Sequence, residues 1–160
     1  MKTFTFAQSD FKDTEGRRLN NTLLSICFEQ AGLRYLAEVN AALATAEARK
    51  GMWHAASMQL DFLSAARISQ DFYVEVSVLE VQADSIELGC RCYQDQKLRA
   101  VGKALLNYVN TQTRNPQPLE DDLRQYFEIE VLRFLRINEP RSAAHGGGLQ
   151  LIRNSKLVGN

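Results

Sequence analysis

A chain of 160 residues is long enough for one domain with a substantial core and short for two. Its 45% apolar and 24% charged residues are the proportions of a folded globular protein and exclude a disordered tail. Lys plus Arg and Asp plus Glu both number 19, so no net charge draws the chain onto nucleic acid or a membrane surface, and any basic patch must be local.

No run reaches the roughly 20 apolar residues of a spanning helix. The opening MKTFTFAQSD lacks the apolar block of a signal peptide, so the expected location is the cytoplasm. Cys27, Cys90 and Cys92 cannot all pair, and they sit in apolar segments without ligand-like spacing. They read as buried free thiols.

In chain order, Thr3 to Ala7 alternates Phe4 and Phe6 with small or polar neighbours, which predicts a short half-buried strand. A polar loop holding Asp13, Glu15, Gly16, Arg17 and Arg18 then runs into Asn20 and Asn21, both natural N-cap residues. Beyond them Leu24, Phe28, Ala31 and Tyr35 recur at helical spacing, and Leu23, Cys27 and Leu36 broaden the apolar stripe. Such a helix needs covering on most sides. From Glu38 to Lys50 the pattern weakens into alanines and charges, either a helix extension or a second short helix, with Gly51 as the stop.

From Met52 the period changes to two, and His54, Ala56, Met58, Leu60 and Phe62 form the more apolar set of a strand with one buried face. Phe72 to Gln82, Ile86 to Tyr93 and Leu98 to Asn110 are three further strands joined by short polar turns, most simply an antiparallel meander. Two prolines in Thr111 to Glu120 close the sheet region. Leu119, Leu123, Phe127, Val131 and Leu135 then predict an amphipathic helix over about 118–135. Residues 138–160, with Pro140 and Gly146 to Gly148, read as a flexible or weakly docked tail behind a domain of residues 1–137. The inventory is α+β: a curved antiparallel sheet of about five strands around a long central helix, with a C-terminal helix. It leaves one sheet edge and one face in need of a partner.

These residues resemble the hot-dog fold acyl-CoA thioesterases of the 4-hydroxybenzoyl-CoA thioesterase-like family over about Phe4 to Arg124. The family's loop-to-helix signature is matched by Asp13, Gly16, Arg18, Leu19, Asn20 and Asn21, followed by Phe28, Glu29, Gln30 and Ala31. A second block resembles Phe62 to Ile68, and the last strand and exit resemble Ala100, Gly102, Thr113, Arg114, Pro116, Pro118 and Leu119. Arg18 stands where the family commonly has His, one extra residue precedes the asparagines, Ala65 replaces a Pro and Gln70 an acidic residue.

The resemblance implies a hydrolase for acyl-CoA or acyl carrier protein thioesters, working as a homodimer or homotetramer. It implies no metal and no organic cofactor, CoA entering only as part of the substrate. A carboxylate in a loop just before a helix, beside that helix's free N–H groups, supplies both a base or nucleophile and an oxyanion site. Asp13 is the expected carboxylate, and the N–H groups of Asn21, Thr22 and Leu23 the expected donors. Loss of one such donor costs about 3 kcal/mol of barrier in enzymes where it has been removed. Glu29 is either a second carboxylate or a structural acid at a subunit contact. Among Arg17, Arg18, Arg67, Arg99, Lys103 and Arg114, the candidates for the CoA phosphates, Arg67, Arg18 and Arg99 are preferred. His54 and His145 have no metal-ligand spacing, and Trp53 reads as core. The alternative is a hot-dog module that binds acyl thioesters or scaffolds an assembly without hydrolysis.

Overall fold

A computed structural model of the chain describes residues 1–7, 19–43, 48–67 and 70–139. The order is β1 (Lys2–Phe6), α1 (Asn21–Ala42), β2 (Gly51–Phe62), β3 (Phe72–Val81), β4 (Ser85–Gln94), β5 (Lys97–Asn110) and α2 (Asp121–Asn138). One antiparallel sheet has the order β1-β3-β4-β5-β2. The α+β class, the meander and the central helix are as the sequence predicts.

The meander is built by strict alternation. Val74, Val76 and Val78 of β3, Ile86, Leu88, Cys90 and Cys92 of β4, and Ala100, Ala104, Leu106 and Tyr108 of β5 are buried on the face that holds α1. The β4–β5 turn is only two residues long, with Asp95 and Gln96 at φ 52° and 60°. Positive φ at both turn residues matches the twist of the flanking strands and allows the tightest connection. From α1, Leu24, Cys27, Phe28, Ala31, Tyr35, Leu36 and Val39 enter the core. The helix lies so close to β5 that a Cβ at Gly102 would sit 2.6 Å from the Phe28 ring.

Several boundaries differ from the sequence expectation. The helix continues to Ala42, and Gly51 opens β2 instead of ending a helix. The opposite face of α1 is not covered: Ile26 is 44% and Leu33 42% exposed. In β2 a register shift between Ala55 and Ser57 reverses the alternation. Trp53 packs inward before the shift and Met58 and Leu60 after it, so His54 and Ala56 are not part of a buried face. No residue of β2 is fully buried.

Helix α2 runs from Asp121 to Asn138, starting and ending three residues later than expected. Leu119 donates its N–H to the Ala83 carbonyl at 2.9 Å, which starts the helix at the β3–β4 turn. Phe127 meets Trp53 edge-on at 5.8 Å, inside the sheet. Two turns later Arg91, on the outer face of β4, lies over the Phe134 ring at 5.7 Å. Strand β1 pairs with β3 only as far as Lys2 opposite Val76, and α2 crosses the sheet edge where that pairing ends. The Met1 ammonium meets the buried Glu130 carboxylate at 3.3 Å. The expected stripe therefore splits: Leu123 and Phe127 are fully buried, Val131 half-buried and Leu135 54% exposed. A period of four drifts about 40° per step around a 3.6-residue helix, which carries it out of contact. Among the described residues no helix is long and apolar enough to cross a membrane.

Candidate functional site

The N-terminus of α1 is set by a short hydrogen-bonded frame. Asn20, in an extended conformation, accepts from the Leu23 N–H through its side-chain carbonyl at 2.9 Å, and the Leu24 N–H donates to the Asn20 main-chain oxygen at 3.0 Å. The N–H of Leu23 is thus already used. Those of Asn21 and Thr22 have no hydrogen-bond acceptor among the described residues, and both side chains are exposed. The first turn carries no acidic residue to offset its dipole. A helix start with two free donors and an uncompensated positive end suits an oxyanion.

This helix start is tied to a second segment. Buried Leu19 donates its N–H to the carbonyl of buried Ala66 at 2.9 Å, which sets residues 66–67 beside the Asn20 cap. The next residue, Arg67, is clasped by Gln94, the last residue of β4. Gln94 is 2% exposed. Its side-chain oxygen accepts from the Arg67 N–H at 2.9 Å, while its amide nitrogen donates to the carbonyls of Arg67 at 2.6 Å and Gln70 at 3.2 Å. Arg99 enters from β5. It donates to the Gln94 carbonyl at 3.3 Å and to the Ser64 hydroxyl at 3.3 Å, with Asp95 at 3.6 Å. Ala65, Arg67, Gln70, Gln94, Asp95 and Arg99 together line a polar cavity of about 370 Å³.

The structure thus brings Arg67 and Arg99 to one cavity. Asp13, Arg17 and Arg18 lie outside the described residues. Lys103 is elsewhere, paired with Glu87 at 3.1 Å. Arg114 follows the far end of β5, whose near end carries Arg99. Glu29 is exposed on α1, with no hydrogen bond or ion pair among the described residues. At 1.5 Å per residue it lies roughly 12 Å along the axis from Asn21. Within one protomer, Glu29 and the free N–H groups therefore do not share one carbonyl. His54 is exposed, and Trp53 is half-buried against the core, its ring tilted against Tyr108 at 4.8 Å.

Gln94 is the residue the sequence reading missed. Its signal is parity: Ile86, Leu88, Cys90, Cys92 and Gln94 fall on one face of β4, and a glutamine at the end of a buried row must find main-chain partners. Cys27, Cys90 and Cys92 are buried free thiols, as expected. Burial pushes the Cys90 and Cys92 thiols up to about 12, far from a reactive thiolate. Among the described residues no cluster of side chains is suited to a metal ion.

The family model of the thioesterase-like superfamily matches residues 12–127, well over half of the chain and the whole of this frame. The chain belongs to the thioesterase-like superfamily. Solved structures agree on its hot-dog fold. A predicted thioesterase from Bacillus stearothermophilus is 19% identical with a TM-score of 0.66, the match covering 81% of this chain and 95% of that one. A gentisyl-coenzyme A thioesterase is 16% identical, TM-score 0.64, over 79% of this chain and 99% of its own. A Staphylococcus aureus protein solved in complex with CoA is 15% identical, TM-score 0.62, over 86% and 85%. None of the curated proteins matches the chain significantly. In this thioesterase-like chain, the matched region contains the α1 N-terminus, Arg67, Gln94 and Arg99 together.

Proposed function

We propose that the protein hydrolyses acyl thioesters, carried by CoA or by an acyl carrier protein, at the N-terminus of α1. The observation that carries this reading is the Leu19 to Ala66 hydrogen bond, which joins the free donors of Asn21 and Thr22 to the segment bearing Arg67. One part suits a developing oxyanion and the other a phosphate. Asp13, in the loop that enters the helix, is the base or nucleophile. Attack on the carbonyl carbon by a water that gives its proton to Asp13, or by Asp13 itself, is stabilised by the two N–H groups. The C–S bond then breaks and the thiolate takes up a proton, from Asp13 in the water route and from solvent in the other. In the route through Asp13 a water hydrolyses the acyl–Asp13 anhydride to the free acid and the regenerated carboxylate. Arg67 and Arg99 hold the phosphates of CoA, a ligand that one protein of the same fold binds. The reaction in this reading uses no metal and no organic cofactor.

The working unit is a homodimer. Strand β2 is a sheet edge, paired with β5 on one side and with no strand among the described residues on the other. It has no fully buried residue, and Ile26 and Leu33 of α1 are exposed beside the same core. An exposed edge of twelve residues is a template for pairing and needs a cover. In such a dimer Glu29 of a second copy is the one available to complete a site.

Thiol release from a panel of acyl-CoAs, by wild type and by Asp13→Asn, tests the proposal. Release by wild type and its loss in Asp13→Asn are expected. Full activity in Asp13→Asn would move the chemistry to Glu29. Binding of acyl-CoA without any thiol release would make the protein a non-catalytic acyl-thioester module.

A further inference from the structure

The face of α2 that points away from the core is apolar and has two-fold symmetry in its sequence. Leu123, Phe127 and Glu130 are the buried residues of this helix. At 100° per residue they cluster on the side opposite Leu132. On the Leu132 side stand Ile129, Leu132 and Leu135, respectively 44%, 57% and 54% exposed. No core packing explains three large aliphatic residues there. A groove of about 360 Å³ between this helix and the end of β3, lined by Leu79, Val81, Val131 and Leu132 with the carboxylates of Glu80 and Glu128, extends this surface sideways.

We propose that this face pairs with the same face of a second copy of the chain, the two α2 helices running antiparallel about a two-fold axis through Leu132. Such an axis sets residue 132−k against residue 132+k of the other copy. Leu132 then meets Leu132, Ile129 meets Leu135, and Glu128 meets Arg136. Both apolar pairs and the charged pair follow from one choice of axis, and the charged pair occurs twice. Parallel pairing would instead oppose Glu128 to Glu128 and Arg136 to Arg136, with repulsion at both positions. An isologous contact requires this self-complementarity. The contact is separate from the β2 edge and lies on the other side of the sheet edge that α2 crosses. The two contacts together make a tetramer of two dimers. The inference does not depend on the hydrolytic reading.

The test uses the full chain. Mass by light scattering is measured across concentration for wild type, Leu132→Glu, Glu128→Arg, Arg136→Glu and the double reversal. Far-UV circular dichroism confirms that each is folded, as expected for exposed positions. Leu132→Glu and each single reversal are expected to halve the mass of the largest species, and the double reversal to restore it. Under mild oxidation Leu132→Cys is expected to cross-link to itself, while Ile129→Cys and Leu135→Cys cross-link only when mixed. The proposal is overturned by a wild-type mass that Leu132→Glu leaves unchanged. Self-cross-linking of Ile129→Cys would overturn it by showing parallel pairing. A larger mass after truncation at Glu139 would overturn it too, because the C-terminal residues would then be what covers the face.

Discussion

Gln94 grips Arg67 by both main-chain groups, accepting from its N–H at 2.9 Å and donating to its carbonyl at 2.6 Å. The contact joins the end of β4 to the segment that Leu19 holds through Ala66 and Arg99 holds through Leu63 and Ser64. Replacing Gln94 by Leu strands these groups at a cost of about 1–3 kcal/mol. For the proposed activity, Gln94→Leu is expected to raise KM for an acyl-CoA several-fold and to leave kcat and the KM for the corresponding acyl-pantetheine, which lacks the nucleotide phosphates, nearly unchanged. An equal loss with both substrates would show that Gln94 acts on the whole fold and not through Arg67.

Asn20→Ala removes the side-chain acceptor of the Leu23 N–H and is expected to cost about 1 kcal/mol in urea unfolding. Asn20→Ser or Asn20→Asp is expected to keep most of that stability, since either can cap. If the alanine variant unfolds at the wild-type midpoint, the cap contributes nothing.

Arg49 donates to both carboxylate oxygens of Asp122, at 3.0 and 2.8 Å, and ties the chain before β2 to the first turn of α2. This hydrogen-bonded partner holds the Asp122 carboxyl below its ordinary value of 3.8. A depressed folded value means that its stabilisation is present above the unfolded value and is lost as the pH falls through the folded one. Wild type is therefore expected to lose more stability than Arg49→Met between about pH 5 and pH 2. The pair is partly exposed, so the difference is small and shrinks in high salt. Parallel acid titration curves for the two proteins would contradict this.

Cys90 and Cys92 are raised to about 12 by burial. Groups raised on folding give stability that is complete below their unfolded values and lost as the pH rises towards the folded ones. The protein is thus expected to weaken progressively above about pH 9, and Cys90→Ala with Cys92→Ala to weaken less steeply. At pH 8 an aromatic disulfide reagent should find no accessible thiol until denaturant is added. Rapid labelling of a native thiol would show that the sheet opens locally.

Much of the fold was readable from the chain because it is local. The 3.6-residue spacing of Leu24, Phe28, Ala31 and Tyr35 and the alternation of Val74, Val76 and Val78 each state which side must be buried, whatever does the burying. Asn20 as a cap follows from side-chain chemistry within three residues. The resemblance named Arg67 and Arg99 as phosphate candidates, and the structure sets both at one cavity. Three features needed the tertiary structure. The reversed face of β2 comes from an extra residue between Ala55 and Ser57, which shows only when β5 is laid beside it. The role of Gln94 depends on a segment 27 residues earlier reaching the end of β4. The exposure of Leu132 and Leu135 depends on where α2 leaves the core, between Phe127 against Trp53 and Phe134 against Arg91. Sequence by itself determined which residues repel water and at what period, since hydration and backbone geometry act on each segment separately. Only the tertiary structure decided which polar groups meet, because those encounters depend on strand order and register, which no single segment contains.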